Sequence, residues 1–183
     1  GTSQGFVRTS GHVVGNVAQN ITAGAGTPGV YPNGRYEFPV GTATQYRPYI
    51  ITFTSTYPAI NPTTVVVNHV DSSPQGTVNM PLDAGNGLQI GNYPNYYWLV
   101  NTTPSSFTST QNFDVEMHGT NIGYPYDSDQ NLRIVRRQDG SSQSNGWALQ
   151  GSSANYSNYQ VVTGTDTLAV VRTTSSIGGI VNE

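Results

Sequence analysis

Residues 35–55 read RYEFPVGTATQYRPYIITFTS, and this stretch predicts a strand, a turn and a second, longer strand. Phe38 and Val40 alternate with polar neighbours, which is the period of a strand with one buried face. A glycine–threonine pair breaks that run, and the second strand extends over residues 46–53. The hairpin indicates the fold class, and it carries little information about activity or ligand.

The second strand of this hairpin presents two different faces. Tyr49, Ile51 and Phe53 share one face, and Ile50 falls on the other. Pro48 has no N–H to donate to a ladder, so we expect this end of the strand to lie at a sheet edge or at a bulge.

The composition is that of a folded chain with an uncharged, polar surface. Of the 183 residues, 35% are hydrophobic and only 9% are charged, and the formal net charge is −3. The 12 Tyr, 5 Phe and 2 Trp argue against disorder, since disordered chains combine few aromatic residues with high net charge. No linker-like composition divides the chain, so we expect one domain over residues 1–183.

Residue types that the chain lacks exclude several kinds of chemistry. All seven basic residues are arginine, which excludes Schiff-base lysines and lysine–asparagine isopeptide crosslinks. The absence of cysteine excludes disulfides, thiolate nucleophiles and zinc–thiolate sites. Scattered arginines at this net charge disfavour nucleic acid as a partner. No apolar run approaches the roughly 20 residues that membrane insertion requires.

The rest of the chain adds short strands and no amphipathic helix. Residues 63–70 (TTVVVNHV) form a β-branched run without helical period, which predicts a strand buried on both faces. Further strands are expected near residues 6–9, 12–21, 95–101, 112–121, 131–137, 147–149, 159–163 and 167–173. About ten strands at such intervals predict an all-β fold, a single antiparallel β-sandwich of jelly-roll or Ig-like type. The expected core residues include Val13, Phe38, Phe53, Val65, Leu99, Val115, Ile134 and Leu168.

Several stretches occur in a characteristic order: FVRTSGHVVGNV, FPVGT, YRPYI, YYWLV, NLRIVRR with GWALQG, and DTLAVVR. In this order they resemble the β-sandwich modules of large secreted and surface proteins in bacteria that use the type IX secretion route. The resemblance extends over residues 6–172. It implies an extracellular, non-catalytic module, and because this family is functionally diverse it supplies no active-site residues to carry over.

The sequence and the resemblance together predict a structural subunit of an extracellular or cell-surface assembly. The chain begins without methionine, which favours a processed, exported product. Modules of this kind continue past a segment like IGGIVNE into a further strand, whereas this sequence stops at Glu183. Either that strand was removed or another segment takes its place. We therefore expect copies of the chain to join by β-strand exchange into an oligomer or filament. The expected interface residues are Phe6, Val7, Ile177, Ile180 and Val181.

The alternative is a carbohydrate-binding or adhesion module of a larger secreted protein, with polysaccharide as its partner. Exposed aromatic rings in a row would form a platform for sugar rings. The candidates are Tyr93, Tyr96, Tyr97, Trp98, Tyr124, Tyr126 and Trp147. The competing interpretation is that Tyr97 or Trp98 fills the core together with Trp147, while alternation leaves the other ring exposed.

Two groups of acidic residues have the spacing of metal sites. Asp114, Glu116 and His118 share one face of a strand, which fits a solvated face opposite an apolar one. The other group, Asp127, Asp129 and Asn131, has the spacing that opens a calcium loop. An EF-hand is excluded because Leu132 and Gln138 replace its required glycine and glutamate, which leaves open an irregular calcium site or a plain turn.

The histidines do not form a recognisable catalytic set. His12, His69 and His118 lie on separate strands, and His69 and Asp71 share a face without a nucleophile elbow. We therefore expect no enzyme activity, no catalytic residues, no cofactor and no metal requirement. Asn20, Asn101 and Asn155 lie in N-x-S/T sequons, which matter only where the host glycosylates asparagine.

Overall fold

The computed structural model describes residues 9–21, 35–53, 63–83, 87, 89–103, 112–119, 133–137, 146–149, 159–164, 169–173 and 177–178. These residues form thirteen strands and no helix, and hence none that could cross a membrane. In chain order the strands are β1 (Asn16–Ile21), β2 (Arg35–Phe38), β3 (Tyr49–Phe53), β4 (Thr63–Val70), β5 (Leu82–Asp83), β6 (Gln89–Ile90), β7 (Tyr97–Thr103), β8 (Asn112–Gly119), β9 (Val135–Arg136), β10 (Ala148–Leu149), β11 (Tyr159–Gly164), β12 (Ala169–Thr173) and β13 (Ile177–Gly178).

The strands pair in antiparallel fashion in two larger sheets and two small ones. The order in the six-stranded sheet is β11-β12-β8-β3-β2, with β13 also paired to β8. The three-stranded sheet has the order β1-β4-β7, and β5-β6 and β9-β10 form two-stranded sheets. This confirms the prediction of an all-β, antiparallel protein.

One hydrophobic cluster contains residues from both larger sheets. From the three-stranded sheet it takes Val17, Ile21, Val65, Val67 and Val100. From the six-stranded sheet and the adjoining hairpin it takes Tyr36, Phe38, Val40, Tyr49, Ile51 and Val115, and Ile134 joins from the segment before β9. Four predicted core residues are therefore confirmed as buried, namely Phe38, Val65, Val115 and Ile134.

Residues 35–53 form the hairpin that the sequence predicts. Phe38 pairs with Tyr49, and the same register continues to a bridge between Gly41 and Tyr46. At the tip, the Thr42 N–H donates to the Gln45 carbonyl at 2.9 Å, and the Thr42 hydroxyl accepts the Gln45 N–H at 3.0 Å. The threonine side chain thus fixes the turn through a local bond to the backbone.

Pro48 does not mark a sheet edge, so that part of the expectation of an edge or a bulge was wrong. Pro48 directly precedes β3, which lies between β2 and β8. The hairpin register places Pro39 opposite Pro48, so neither residue of this pair can donate across the ladder. Their carbonyls turn to other segments: Pro39 accepts the Val13 N–H at 2.7 Å, and Pro48 accepts the His118 N–H at 3.2 Å. A proline in an interior position is therefore accommodated where the ladder is interrupted.

Two predicted core residues lie on the wrong face. Val13 is 41% exposed because its backbone, and not its side chain, joins the hairpin through a parallel bridge to Val40. Leu99 is only partly buried, since the alternation of β7 directs Val100 into the core. The side chain of Phe53 and all of Leu168 lie outside the described residues.

The prediction that residues 63–70 are buried on both faces was also wrong. Along β4, Val65, Val67 and His69 are buried, and the residues between them are only partly buried. β4 is the middle strand of a three-stranded sheet, and only one of its faces contributes to the shared cluster.

Gly41 is required at the hairpin because the backbone comes too close for a side chain. A Cβ at this position would overlap the Gln45 carbonyl oxygen and would lie 3.0 Å from Cδ2 of His12. We expect Gly41→Ala to lower the free energy of unfolding by about 1–3 kcal/mol in urea titrations. Gly91→Ala is the matched control, with open space around the added Cβ and an expected change within about 0.5 kcal/mol. Equal costs at the two positions would contradict the hairpin packing.

Candidate functional site

Arg47 lies at the centre of a group of polar and aromatic side chains that join the two larger sheets. The hairpin supplies Arg47 immediately before the Pro48 that precedes β3, and β4 supplies His69. Tyr96 directly precedes β7 and Trp98 lies within it, so the three-stranded sheet supplies both rings. The side chains meet because alternation places Tyr96, Trp98 and Val100 on one face of their segment.

Arg47 is 3% exposed, and its guanidinium has several partners. Nη1 donates to Nε2 of His69 at 3.1 Å and to Oδ1 of Asp71 at 3.2 Å, and Nη2 donates to the side-chain oxygen of Gln45. Its Cζ lies 3.7 Å from the centroid of the Tyr96 ring, which is a cation–π contact. These partners hold the cation in place, so the group stabilises the fold and does not present an open binding site.

Aromatic contacts surround the same group. The His69 ring lies 5.5 Å from the rings of both Tyr96 and Trp98, and those two rings are 5.6 Å apart in an edge-to-face arrangement. Nε1 of Trp98 donates to the Arg47 carbonyl at 2.8 Å. Two of the candidate platform rings are therefore engaged inside the protein.

His69 is neutral in this setting. Because Nε2 accepts from Arg47, the ring proton resides on Nδ1, which has no hydrogen-bond partner among the described residues. The pKa of His69 is lowered from 6.5 to about 4, chiefly because burial penalises the imidazolium and secondly because Arg47 lies beside it. The Asp71 carboxylate opposes this shift in part.

A second aromatic group fixes the loop that follows β4. Trp147 is buried, its ring lies 5.2 Å from that of Tyr93, and the Arg137 guanidinium lies 4.8 Å from its centroid. Nε1 of Trp147 and the hydroxyl of Tyr93 both donate to the Gly76 carbonyl at 3.0 Å. Arg137 donates to the two preceding carbonyls, those of residues 74 and 75, at 2.8 and 2.6 Å. Each polar group here has an internal partner, which indicates a structural role.

The acidic face of β8 does not assemble a metal site within the described residues. His118 Nε2 lies 2.8 Å from Oε1 of Glu116, and no group of three or more potential ligands occurs in the part of the chain that the structure describes. The strand register places Ile50 between Glu37 and Glu116, and Ile50 is fully buried. The sequence suggested that the β8 face carrying Glu116 and His118 is solvated. The buried Ile50 beside Glu116 shows that this face is covered in part.

Among the described residues, the three histidines have different neighbours. His12 contacts the Thr42 carbonyl at 2.5 Å, His69 faces Arg47, and His118 faces Glu116. His69 and Asp71 share a partner, but that partner is a guanidinium and not a nucleophile.

Of the remaining predicted site residues, the structure describes some and leaves others outside the described residues. Ile177 begins β13, where it pairs with Phe113 of β8. Asn20 and Asn101 are exposed on the outer strands β1 and β7. Tyr97 is partly buried. The candidates that lie outside the described residues are Phe6, Val7, Tyr124, Tyr126, Asp127, Asp129, Asn131, Asn155, Ile180 and Val181.

Comparison with known proteins adds no relative, since no family model, curated protein or solved structure matches the chain. The resemblance to modules of type IX secreted proteins therefore stays a prediction.

Proposed function

We propose that the chain is a single β-sandwich domain that serves as a non-catalytic structural module of an extracellular assembly, its copies joined by β-strand exchange. The hydrophobic cluster supports a sandwich, because residues of both larger sheets pack in it. The order of the sequence motifs supports the extracellular location. The low charge of the chain supports self-association, since copies repel one another little.

The observation that carries the proposal is the pairing of β13 with β8, outside the main strand order of the six-stranded sheet. β12 pairs with β8 as far as Arg172 and Glu116, and β13 pairs with β8 from Ile177 and Phe113 onward. From Arg172 to Ile177 the chain advances five residues, whereas their partners on β8, Glu116 and Phe113, are three residues apart. The register of β13 on β8 is therefore shifted by two residues relative to that of β12. Within the described residues, β13 is held by two residue pairs, which gives it few ladder bonds to lose on release.

A second copy of the chain carries the identical segment and fits the same position. Exchange of an identical element between protomers needs no new complementary surface, because the acceptor already pairs with that element within one chain. Main-chain hydrogen bonds supply the affinity in such strand addition. Repeated between successive copies, the exchange gives an open chain of subunits.

The outer strands of the three-stranded sheet also suit an assembling protein. Neither β1 (NVAQNI) nor β7 (YWLVNTT) contains a charged residue or a proline. Charges and prolines at sheet edges are common means by which proteins prevent association with other strands. These edges lack both.

The carbohydrate-binding alternative has less support. Tyr96 and Trp147 are buried, and the indole N–H groups of Trp98 and Trp147 donate to backbone carbonyls of the same chain. A sugar platform requires the faces of such rings to be accessible to the ligand.

Paired cysteine variants test the exchange, because the natural chain has no cysteine. Asn112 lies directly opposite Gly178, so Asn112→Cys and Gly178→Cys bring two thiols within range of a disulfide. The two single variants are mixed, unfolded, refolded together at high concentration and oxidised. We expect the mixed variants to give a covalent heterodimer on non-reducing gels. We expect the natural chain, which is not crosslinked, to form species larger than a monomer in sedimentation velocity.

The matched control mixes Gly178→Cys with Ala18→Cys, whose position is exposed on β1 of the three-stranded sheet and does not pair with β13. This mixture is expected to give far less heterodimer. The proposal fails if the natural chain sediments as a monomer at every concentration and the Asn112→Cys and Gly178→Cys mixture yields no more heterodimer than the control.

A further inference from the structure

We propose that His69 and Arg47 form an acid-sensitive contact between the two larger sheets, which opens when the His69 imidazole takes up a proton. The contact is a hydrogen bond of 3.1 Å from Nη1 of Arg47 to Nε2 of His69. Both side chains are buried, so each depends on the other for this hydrogen bond and water does not take the place of either partner.

Protonation removes the acceptor on which this contact depends. The incoming proton binds Nε2, which becomes a donor and faces the N–H groups of Arg47. The other ring nitrogen, Nδ1, has no acceptor among the described residues. An imidazolium at this position would therefore have two donors without acceptors beside a second cation, and the two positive charges would repel one another at close range.

The remaining groups that face His69 do not compensate for the added charge. In the part of the chain that the structure describes, they are the Asp71 carboxylate, the Tyr96 ring and the Trp98 ring. The Asp71 side chain is 64% exposed and already accepts from Arg47 at 3.2 Å, so solvent screens much of its attraction for a protonated His69. The lowered pKa of His69, about 4, agrees with this balance.

Opening of the contact separates defined elements. Arg47 connects the hairpin of the six-stranded sheet to β4 through His69 and to β7 through Trp98, whose indole donates to the Arg47 carbonyl. The pKa of His69 is 6.5 in the unfolded chain and about 4 in the folded one. The free energy by which neutral His69 stabilises the closed arrangement therefore decreases as the pH falls from 6.5 towards 4. The expected change is a local separation of the two sheets at this end.

The environment of Trp98 reports this change directly. The chain has two tryptophans, so Trp147→Phe leaves Trp98, beside His69, as the single tryptophan, which can be excited selectively at the longer wavelengths where tyrosine absorbs little. In this background we expect one fluorescence transition with a midpoint near pH 4, while the far-ultraviolet circular dichroism of the sheets is retained. Imidazole carbon–proton correlation spectra of the natural chain should show the His69 signals titrating with the same midpoint.

His69→Gln provides the matched variant, because a carboxamide oxygen can accept from Arg47 and does not titrate. In the Trp147→Phe background it should abolish the fluorescence transition, and in the natural chain it should remove the low-midpoint imidazole signal. The inference is overturned if the transition persists with His69→Gln, if it coincides with loss of the sheet signal in both proteins, or if His69 titrates near pH 6.5 without a change at Trp98.

Discussion

Replacing Phe38 by alanine is expected to lower the free energy of unfolding by about 3–5 kcal/mol. Phe38 is completely buried in the cluster that both larger sheets share. Its ring lies 6.5 Å from that of Tyr49 in an edge-to-face arrangement, so the substitution removes an aromatic contact as well as buried volume. Urea titrations followed by circular dichroism measure the loss.

Val14→Ala serves as the control for this experiment. Val14 is 67% exposed and contributes little to the core, so its truncation should change the free energy of unfolding by less than about 0.5 kcal/mol. A cost below about 1 kcal/mol for Phe38→Ala would mean that the two sheets do not pack closely around this ring.

The local pattern of the sequence was sufficient to predict the hairpin and the all-β, antiparallel character of the chain. Alternation in residues 35–38 indicates the buried face of β2, where the structure places Phe38. In β3, Ile51 lies on the expected face, although Ile50 on the other face is buried as well. Strand period is a local property, set by the geometry of an extended backbone, so it can be read without knowledge of partners.

The misplaced residues show where that local pattern becomes ambiguous. In β7 the run Tyr97–Trp98–Leu99–Val100 is apolar throughout, so alternation cannot decide which of the two faces is buried. Val13 precedes β1 and belongs to a parallel bridge with the hairpin. That pairing joins segments far apart in the sequence, and no periodicity within either segment indicates it.

The arginine group could not be predicted for the same reason. His69 and Asp71 have a visible spacing of two, and the sequence identified that pair as sharing a face. The third member, Arg47, comes from another sheet, and its position depends on the packing of the hairpin against β4 and β7. A buried arginine has no sequence signal of its own, because arginine usually lies at the surface.

Arg47→Met is expected to lower the free energy of unfolding by about 2–4 kcal/mol, although methionine keeps an unbranched apolar side chain of similar reach. The loss arises because Nε2 of His69 and the Gln45 side-chain oxygen lose their donor, and because the cation–π contact with Tyr96 disappears. Chemical denaturation at pH 7 measures the change.

A second arginine and a double variant separate this cause from a general effect of removing charge. Arg35 donates to Glu37 at 3.1 Å but is 31% exposed, so Arg35→Met should cost less than about 1 kcal/mol. Adding His69→Phe to Arg47→Met removes the buried acceptor together with its donor, and it should recover part of the loss. If Arg47→Met costs no more than Arg35→Met, or if the double variant loses the full sum of the two single changes, Arg47 and His69 do not act as a coupled pair.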